Sequence, residues 1–252
     1  MQVVVCVKQI PDPASPSSLD PETHNIVRPG DQVLDDTDRY GIEVGLQIAE
    51  QTEGTVTIVS MGPAGSMQGI RQALAMGADK AVVVDDESLQ GSDALTTAKV
   101  LAAAASREGF DVVIAGVEST DGYSGIVPQM MSELLEVPAL TFARKVELDG
   151  DRIKIQRQTG SGYDIVESPL PALLAVTAGV VEPRYPTFKG IMAAKNKPVD
   201  NLTSADLAAD NDPRQAITSV EPAPERSGGE VVEDDGEAHL KIIEVLEQAK
   251  VI

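Results

Sequence analysis

At 252 residues the chain is long enough for one large α/β domain, or for one domain with an appended arm. Apolar residues make up 42% but aromatic ones only 3%, and tryptophan is absent, so the core must be aliphatic, built from Val, Ile, Leu and Ala. The 20 basic residues against 40 acidic ones give a formal charge of −20, which opposes a phosphate backbone and argues against nucleic acid as a partner.

Met1 leads straight into the strand-like run VVVCV, with no basic leader and no small-residue cleavage site, so no signal peptide is expected. No apolar run reaches the roughly eighteen residues of a membrane span, and the expected location is cytoplasmic. Cys6 is the single cysteine, which excludes an internal disulfide, and with only His24 and His239 beside it no Cys/His metal cluster is expected. Its apolar neighbours mark Cys6 as a small buried hydrophobe.

Over the first half, β-branched runs alternate with segments of helical period. VVVCVKQ, TVTIVSMG, KAVVVDD and DVVIAG are near-continuous apolar runs, as strands covered on both faces of a parallel sheet are. Between them Ile42, Leu46 and Ala49 share one helical face, and so do Leu95, Ala98, Leu101, Ala102 and Ala105. This βαβα order predicts a doubly wound, mostly parallel, Rossmann-like α/β sheet. After residue 139 the period changes to alternation, and LTFARKVELDGDRIKIQRQT turns at Asp149-Gly150 as a hairpin. DIVES and PALLAVTAG follow as further strands, giving antiparallel strands appended to the edge of the parallel sheet.

The composition shifts near residue 200, so residues 1–199 are expected to form the nucleotide-binding domain and residues 200–252 an extended acidic arm. Residues 201–240 hold ten acids against Arg214 and Arg226, and PAPERSGGE is too polar to bury itself. The closing segment HLKIIEVLEQAKVI returns to a helical period, with Leu240, Ile243, Leu246 and Val251 on roughly one side. Such a helix should dock, either on its own domain or on a neighbour.

Open parallel sheets bind ligands at the carboxyl ends of their strands. Three loops there carry turn or polar residues: KQIPDP, SMGPAGS and GVESTDGYSG. None is GxGxxG and none is a P-loop, so a nicotinamide fingerprint is missing. The richest is residues 116–127, where Gly116, Gly122 and Gly125 allow close backbone approach to an anion, and Ser119, Thr120 and Ser124 add hydroxyl donors. That suits a nucleotide phosphate; an ordinary Asp-Gly turn is the alternative. No nucleophile motif accompanies either histidine, and the pairs Asp35/Asp36 and Asp85/Asp86 read as helix caps or solvated acids, so no catalytic residue is assigned.

Residues 181–198, VEPRYPTFKGIMAAKNKP, stand out in so acidic a chain. Pro183 and Pro186 stiffen the stretch, Tyr185, Phe188 and Ile191 are apolar, and the cations Arg184, Lys189, Lys195 and Lys197 run with no acid among them. An apolar anchor rimmed by cations reads as a partner-recognition loop, formed by Arg184, Tyr185, Phe188, Lys189, Ile191 and Lys195. The alternative is a stiffened connection packed on its own domain.

This stretch, together with VCVKQIPD and IRQALAMGADKA, resembles the electron transfer flavoprotein beta subunit over most of residues 1–200. The resemblance implies a heterodimer whose alpha subunit holds most of the FAD, with electrons collected from acyl-CoA-type flavin dehydrogenases and passed to a membrane quinone oxidoreductase. This chain would then have no catalytic residues of its own. It would brace the flavin through loops at Asp12-Pro13 and residues 35–38. It would also hold AMP at Cys6, Asp35, Asp38, Met61, Gly116, Asp121, Gly122, Tyr123, Ser124, Gly125, Ile126 and Val127, and present Phe188 where the family has a leucine anchor. It departs from the family at Asp35, commonly Asn there, and at Pro128, which offers no backbone N–H. Two alternatives are a bifurcating relative with a second FAD in this subunit, and a stand-alone adenine-nucleotide-binding regulatory module.

Overall fold

Eleven strands and six helices can be followed in the computed structural model, which describes residues 1–28, 32–62, 67–209, 212–221, 223–224, 229, 231–234 and 236–252. They divide into two compact units, residues 1–217 and residues 218–252. In chain order the first unit runs β1 (Gln2–Cys6), β2 (Gln9–Pro11), β3 (Gln32–Leu34), α1 (Asp38–Thr52), β4 (Thr55–Met61), α2 (Gln68–Met76), β5 (Lys80–Val84), α3 (Ala94–Glu108) and β6 (Val112–Gly116). It continues with α4 (Val127–Leu134), β7 (Ala139–Asp149), β8 (Arg152–Thr159), β9 (Gly162–Pro169), β10 (Ala172–Val176), α5 (Phe188–Ala194) and β11 (Val199–Leu202).

Nine strands form one sheet in the order β11-β5-β4-β1-β6-β10-β7-β8-β9, parallel from β11 to β7 and antiparallel from β7 to β9. Strand side chains alternate in direction, so β1 and β6 feed two cores. Val3, Val5, Val112 and Ile114 join Ile42, Leu46 and Ala49 of α1 on one face. Val4, Cys6, Val113 and Ala115 join Ala98, Leu101, Ala102 and Ala105 of α3 on the other. This is the doubly wound α/β architecture expected from the apolar runs. Helix α1 lies so close to β1 that a Cβ on Gly45 would come within 2.9 Å of Val5.

Three details depart from the expectation. The PALLAV run is not an edge addition: β10 is inserted between β6 and β7, parallel to both, and all five of its residues are buried. The KQIPDP loop contains β2, which pairs antiparallel with β3 in a separate two-stranded sheet. Residues 200–202, placed by the sequence at the start of the arm, instead continue from Val199 as β11 on the parallel edge beside β5. The chain beyond β11 stays fastened to this unit. Asp86 accepts from the amide and hydroxyl of Ser204 at 3.0 and 2.5 Å, and Asp93, which caps α3 through the Thr96 amide, also accepts from the Arg214 amide at 2.6 Å.

The second unit contains α6 (Ala238–Gln248), the helix expected at the C-terminus. None of its residues is buried, and Leu240, Ile242, Ile243 and Val245 are exposed. Residues 63–66 of the SMGPAGS loop, and residues 222, 225–228 and 230 of the PAPERSGGE stretch, lie outside the described residues.

Candidate nucleotide site and docking segment

Strand β1 is the switch point of the sheet. From it the chain passes to β4 and β5 on one side and later to β6 and β10 on the other, which leaves a crevice at the carboxyl ends of β1 and β6. Cys6 ends β1, Met61 ends β4 and Gly116 ends β6, so three of the expected positions, far apart in sequence, meet at this edge.

Asp35 ties the crevice together. One carboxylate oxygen accepts from the amide and hydroxyl of Thr37 at 3.0 and 2.8 Å, an Asx turn leading into α1. The other accepts from the amide and hydroxyl of Thr120 at 2.8 and 3.0 Å, across 85 residues. Asp35 is 0% exposed and fully engaged. The repulsion that a carboxylate here would exert on a phosphate is thereby blunted, because four donors spread its charge into the protein. Among the described residues, the exposed Asp36 makes only a 3.2 Å ion pair with Arg39.

Asp38 is buried in the first turn of α1, and its Oδ2 accepts from the Lys8 amide at 2.6 Å. Burial, then the nearby Asp35 and Asp121 charges, push its carboxyl well above the usual range, only partly offset by Lys8. Burial and then Asp38 likewise push the Cys6 thiol up to about 12, so it stays protonated and inert. Asp121 receives the Lys8 ammonium at 2.5 Å and the Arg28 guanidinium at 2.7 Å. Burial raises its carboxyl, but the bonds and charges of Lys8 and Arg28 outweigh that and hold it below the ordinary range.

The loop beyond Gly116 presents backbone to solvent. A Cβ on Gly116 would meet Asp38 Oδ1 at 3.1 Å, so glycine at the buried end of β6 leaves room for the Asp38 carboxyl. Gly122, Tyr123, Ser124 and Ile126 are exposed, and Gly125 takes φ +64°, a conformation that favours glycine. Tyr123 points outward at 68% exposure. Helix α4 begins at Val127, directly after the loop, with Pro128 in its first turn, where a missing N–H costs nothing. The exposed glycine-bearing loop, the Ser124 hydroxyl and the start of α4 are the groups here that would hold a phosphate, whereas the Ser119 and Thr120 hydroxyls are engaged with Lys8 and Asp35. Lys8, Arg28 and Thr37 were not singled out by the sequence reading. Lys8 stands within VCVKQIPD, but nothing in its neighbours announces Asp121.

Within residues 181–198, expected as a partner-recognition loop, Phe188–Ala194 form helix α5. Thr187 caps α5 by accepting from the Gly190 amide at 3.0 Å. Tyr185 is 82% and Phe188 80% exposed, and Ile191 and Met192 add to the same outward surface. Lys189 and Lys195 are exposed and form no ion pair among the described residues. Arg184 and Lys197 behave differently from rim cations. Arg184 is turned inward onto Glu43 at 2.7 Å and Glu50 at 2.5 Å, and Lys197 donates to the carbonyls of Leu74, Gly77 and Ala78 at the end of α2. A cleft of about 390 Å³, lined by Asp36, Thr37, Tyr40, Glu182 and Tyr185 among others, separates this segment from the turn at 35–38.

A doubly wound α/β domain with an exposed glycine-bearing loop after β6 and exposed aromatic side chains at Tyr185 and Phe188 is the class of protein these features define. The electron transfer flavoprotein domain matches residues 23–207. An electron transfer flavoprotein subunit beta of Mycobacterium tuberculosis is 40% identical, covering 99% of both chains. That of Thermoanaerobacterium thermosaccharolyticum is 34% identical over 100% of both, and the caffeyl-CoA reductase-Etf complex subunit CarD of Acetobacterium woodii is 31% identical over 92% of both. The chain belongs to the electron transfer flavoprotein beta-subunit family, whose members are electron-transfer proteins.

Proposed function

We propose that this chain is the beta subunit of a heterodimeric electron transfer flavoprotein. FAD is held mainly by an alpha subunit, and AMP occupies the crevice formed by Cys6, residues 35–38, Met61 and residues 116–127. Phe188 and its neighbours receive flavin dehydrogenases of the acyl-CoA type, and the electrons pass on to a membrane quinone oxidoreductase. The name of the Acetobacterium relative, which belongs to a caffeyl-CoA reductase complex, supports partners that act on CoA thioesters. The redox chemistry is the flavin's. The chain's own residues support and orient: Asp35 joins the two cofactor loops, and the segment at 182–188 stands across the cleft from the turn at 35–38.

The observations that carry the reading are the exposed, glycine-bearing loop after β6 that leads into α4, and the outward Tyr185 on the cleft beside the turn at 35–38, with Phe188 exposed three residues on. The four exposed aliphatic side chains of α6, with no residue of that helix buried, support an obligate alpha partner that covers them. The test is co-expression with the alpha subunit, followed by a visible spectrum and nucleotide extraction. A yellow one-to-one complex releasing one FAD and one AMP is expected, whereas the chain alone should be colourless and poorly stable. Two FAD per heterodimer would establish the bifurcating alternative. A stable monomer that binds adenine nucleotide without an alpha subunit would make it a regulatory module.

A further inference from the structure

The segment bearing Tyr185 and Phe188 exposes both rings, yet it is fastened to the body at both ends. At its start the Arg184 guanidinium donates to Glu43 through Nε at 2.7 Å and Nη2 at 3.0 Å, and to Glu50 through Nη1 at 2.5 Å. The Arg184 amide also donates to Glu43 at 3.1 Å, so one carboxylate holds side chain and main chain together. Glu43 is only 4% exposed, and Gln47 donates to its other oxygen at 2.9 Å. At the far end Arg71 reaches from α2 to the carbonyls of Ala194 and Lys197 at 2.6 and 3.1 Å. In the middle, a Cβ on Gly190 would come within 2.5 Å of the Ala75 carbonyl oxygen, so α5 rests on the backbone of α2.

We propose that Arg184 is a positioning residue for redox-partner docking. By bridging Glu43 and Glu50 of α1, it presets Tyr185 and Phe188 in their docking pose, so that partner binding does not have to order the segment. The inference rests on the docking reading above. Pro183 and Pro186 already fix φ on either side of Arg184 and Tyr185, and of these two Arg184 is the one turned onto the body while Tyr185 stands outward. A planar fork shared by two carboxylates fixes direction as well as distance, which a lysine at this position would not do. Glu43 and Glu50 lie two helical turns apart on α1, whose first turn follows Asp35. The docking side chains are thereby registered against the same helix that leads out of the cofactor turn. Ordering a docking surface before encounter lowers the entropic cost of binding without adding a contact.

The test uses the FAD-loaded heterodimer as electron acceptor for an acyl-CoA dehydrogenase supplied with its acyl-CoA. Arg184→Gln should raise the apparent KM for the heterodimer about tenfold, and Glu50→Gln, which trims only the exposed half of the clamp, about two- to threefold. In both, kcat should stay within about twofold and FAD content should be unchanged. Phe188→Ala should cost less in the Arg184→Gln background than in the wild type, because the ring is no longer preset. If Phe188→Ala alone leaves KM unchanged, the docking reading itself fails. If Phe188→Ala raises KM while Arg184→Gln and Glu50→Gln do not, the docking reading stands and the positioning role of Arg184 is refuted. Loss of FAD or of the alpha subunit in both clamp variants also overturns it, since Arg184 would then serve the fold alone.

Discussion

Asp35 and Asp36 are adjacent, identical in chemistry, and predicted to respond unequally to the same substitution. In Asp35→Asn the side chain keeps one oxygen for Thr37 but turns an amide NH2 toward Thr120, which itself presents two donors at 2.8 and 3.0 Å. Hydrogen bonds to charged groups contribute about 1.5–3 kcal/mol each, and stranding a buried donor costs about 1–3 kcal/mol. With the site at 0% exposure, water cannot take the missing place. A loss of about 3 kcal/mol is therefore expected, or roughly 6–12 °C in melting temperature at about 2–4 °C per kcal/mol for a domain of this size. An asparagine is not equivalent at this position, because Thr120 needs an acceptor. Asp36→Asn removes only an exposed 3.2 Å ion pair and should melt with the wild type. The assay is a thermal melt of the heterodimer with AMP extraction before and after gel filtration. Asp35→Asn should also shed AMP, as the loop at 116–127 loses its tie to α1. If both variants melt within about 2 °C of the wild type and keep their nucleotide, the bridging role of Asp35 is wrong.

Phe188→Ala removes an 80% exposed ring and should weaken dehydrogenase binding by about 2 kcal/mol, or about thirtyfold, with FAD, AMP and subunit association unchanged; a variant that loses FAD would make the segment structural. Asp38 bears on pH dependence. Its folded pKa is raised above 3.8, so between that value and its raised one the folded state binds a proton that the unfolded state has released, and stability falls as pH rises through the window. Asp38→Asn keeps an acceptor for the Lys8 amide but cannot ionise. Denaturant unfolding at successive pH values should show the decline in the wild type and its absence in the variant; equal slopes would mean that Asp38 ionises freely in the folded protein.

The local pattern of the sequence determined much of this protein. Near-continuous runs such as Val3, Val4 and Val5 had to be strands covered on both faces, because no other placement buries consecutive side chains of a strand. Asp149-Gly150 had to turn a hairpin, and it does, with Gly150 at φ +61°. The stripe on α1 and the apolar face of α6 were legible from spacing alone. What periodicity could not carry was lateral order: the five residues of β10 read the same at an edge as between β6 and β7, since a buried run does not name its neighbours. The same limit applies to charges. Asp35 differs from Asp36 only because Thr120 arrives beside it, and Arg184 from Lys195 only because Glu43, 141 residues from Arg184, stands under it. Propensity and amphipathic period are properties of neighbours in the chain. A buried carboxylate's partners are set by which distant loops the sheet brings to one end, and tertiary structure alone decided which of these polar residues hold the protein together and which remain free for a partner.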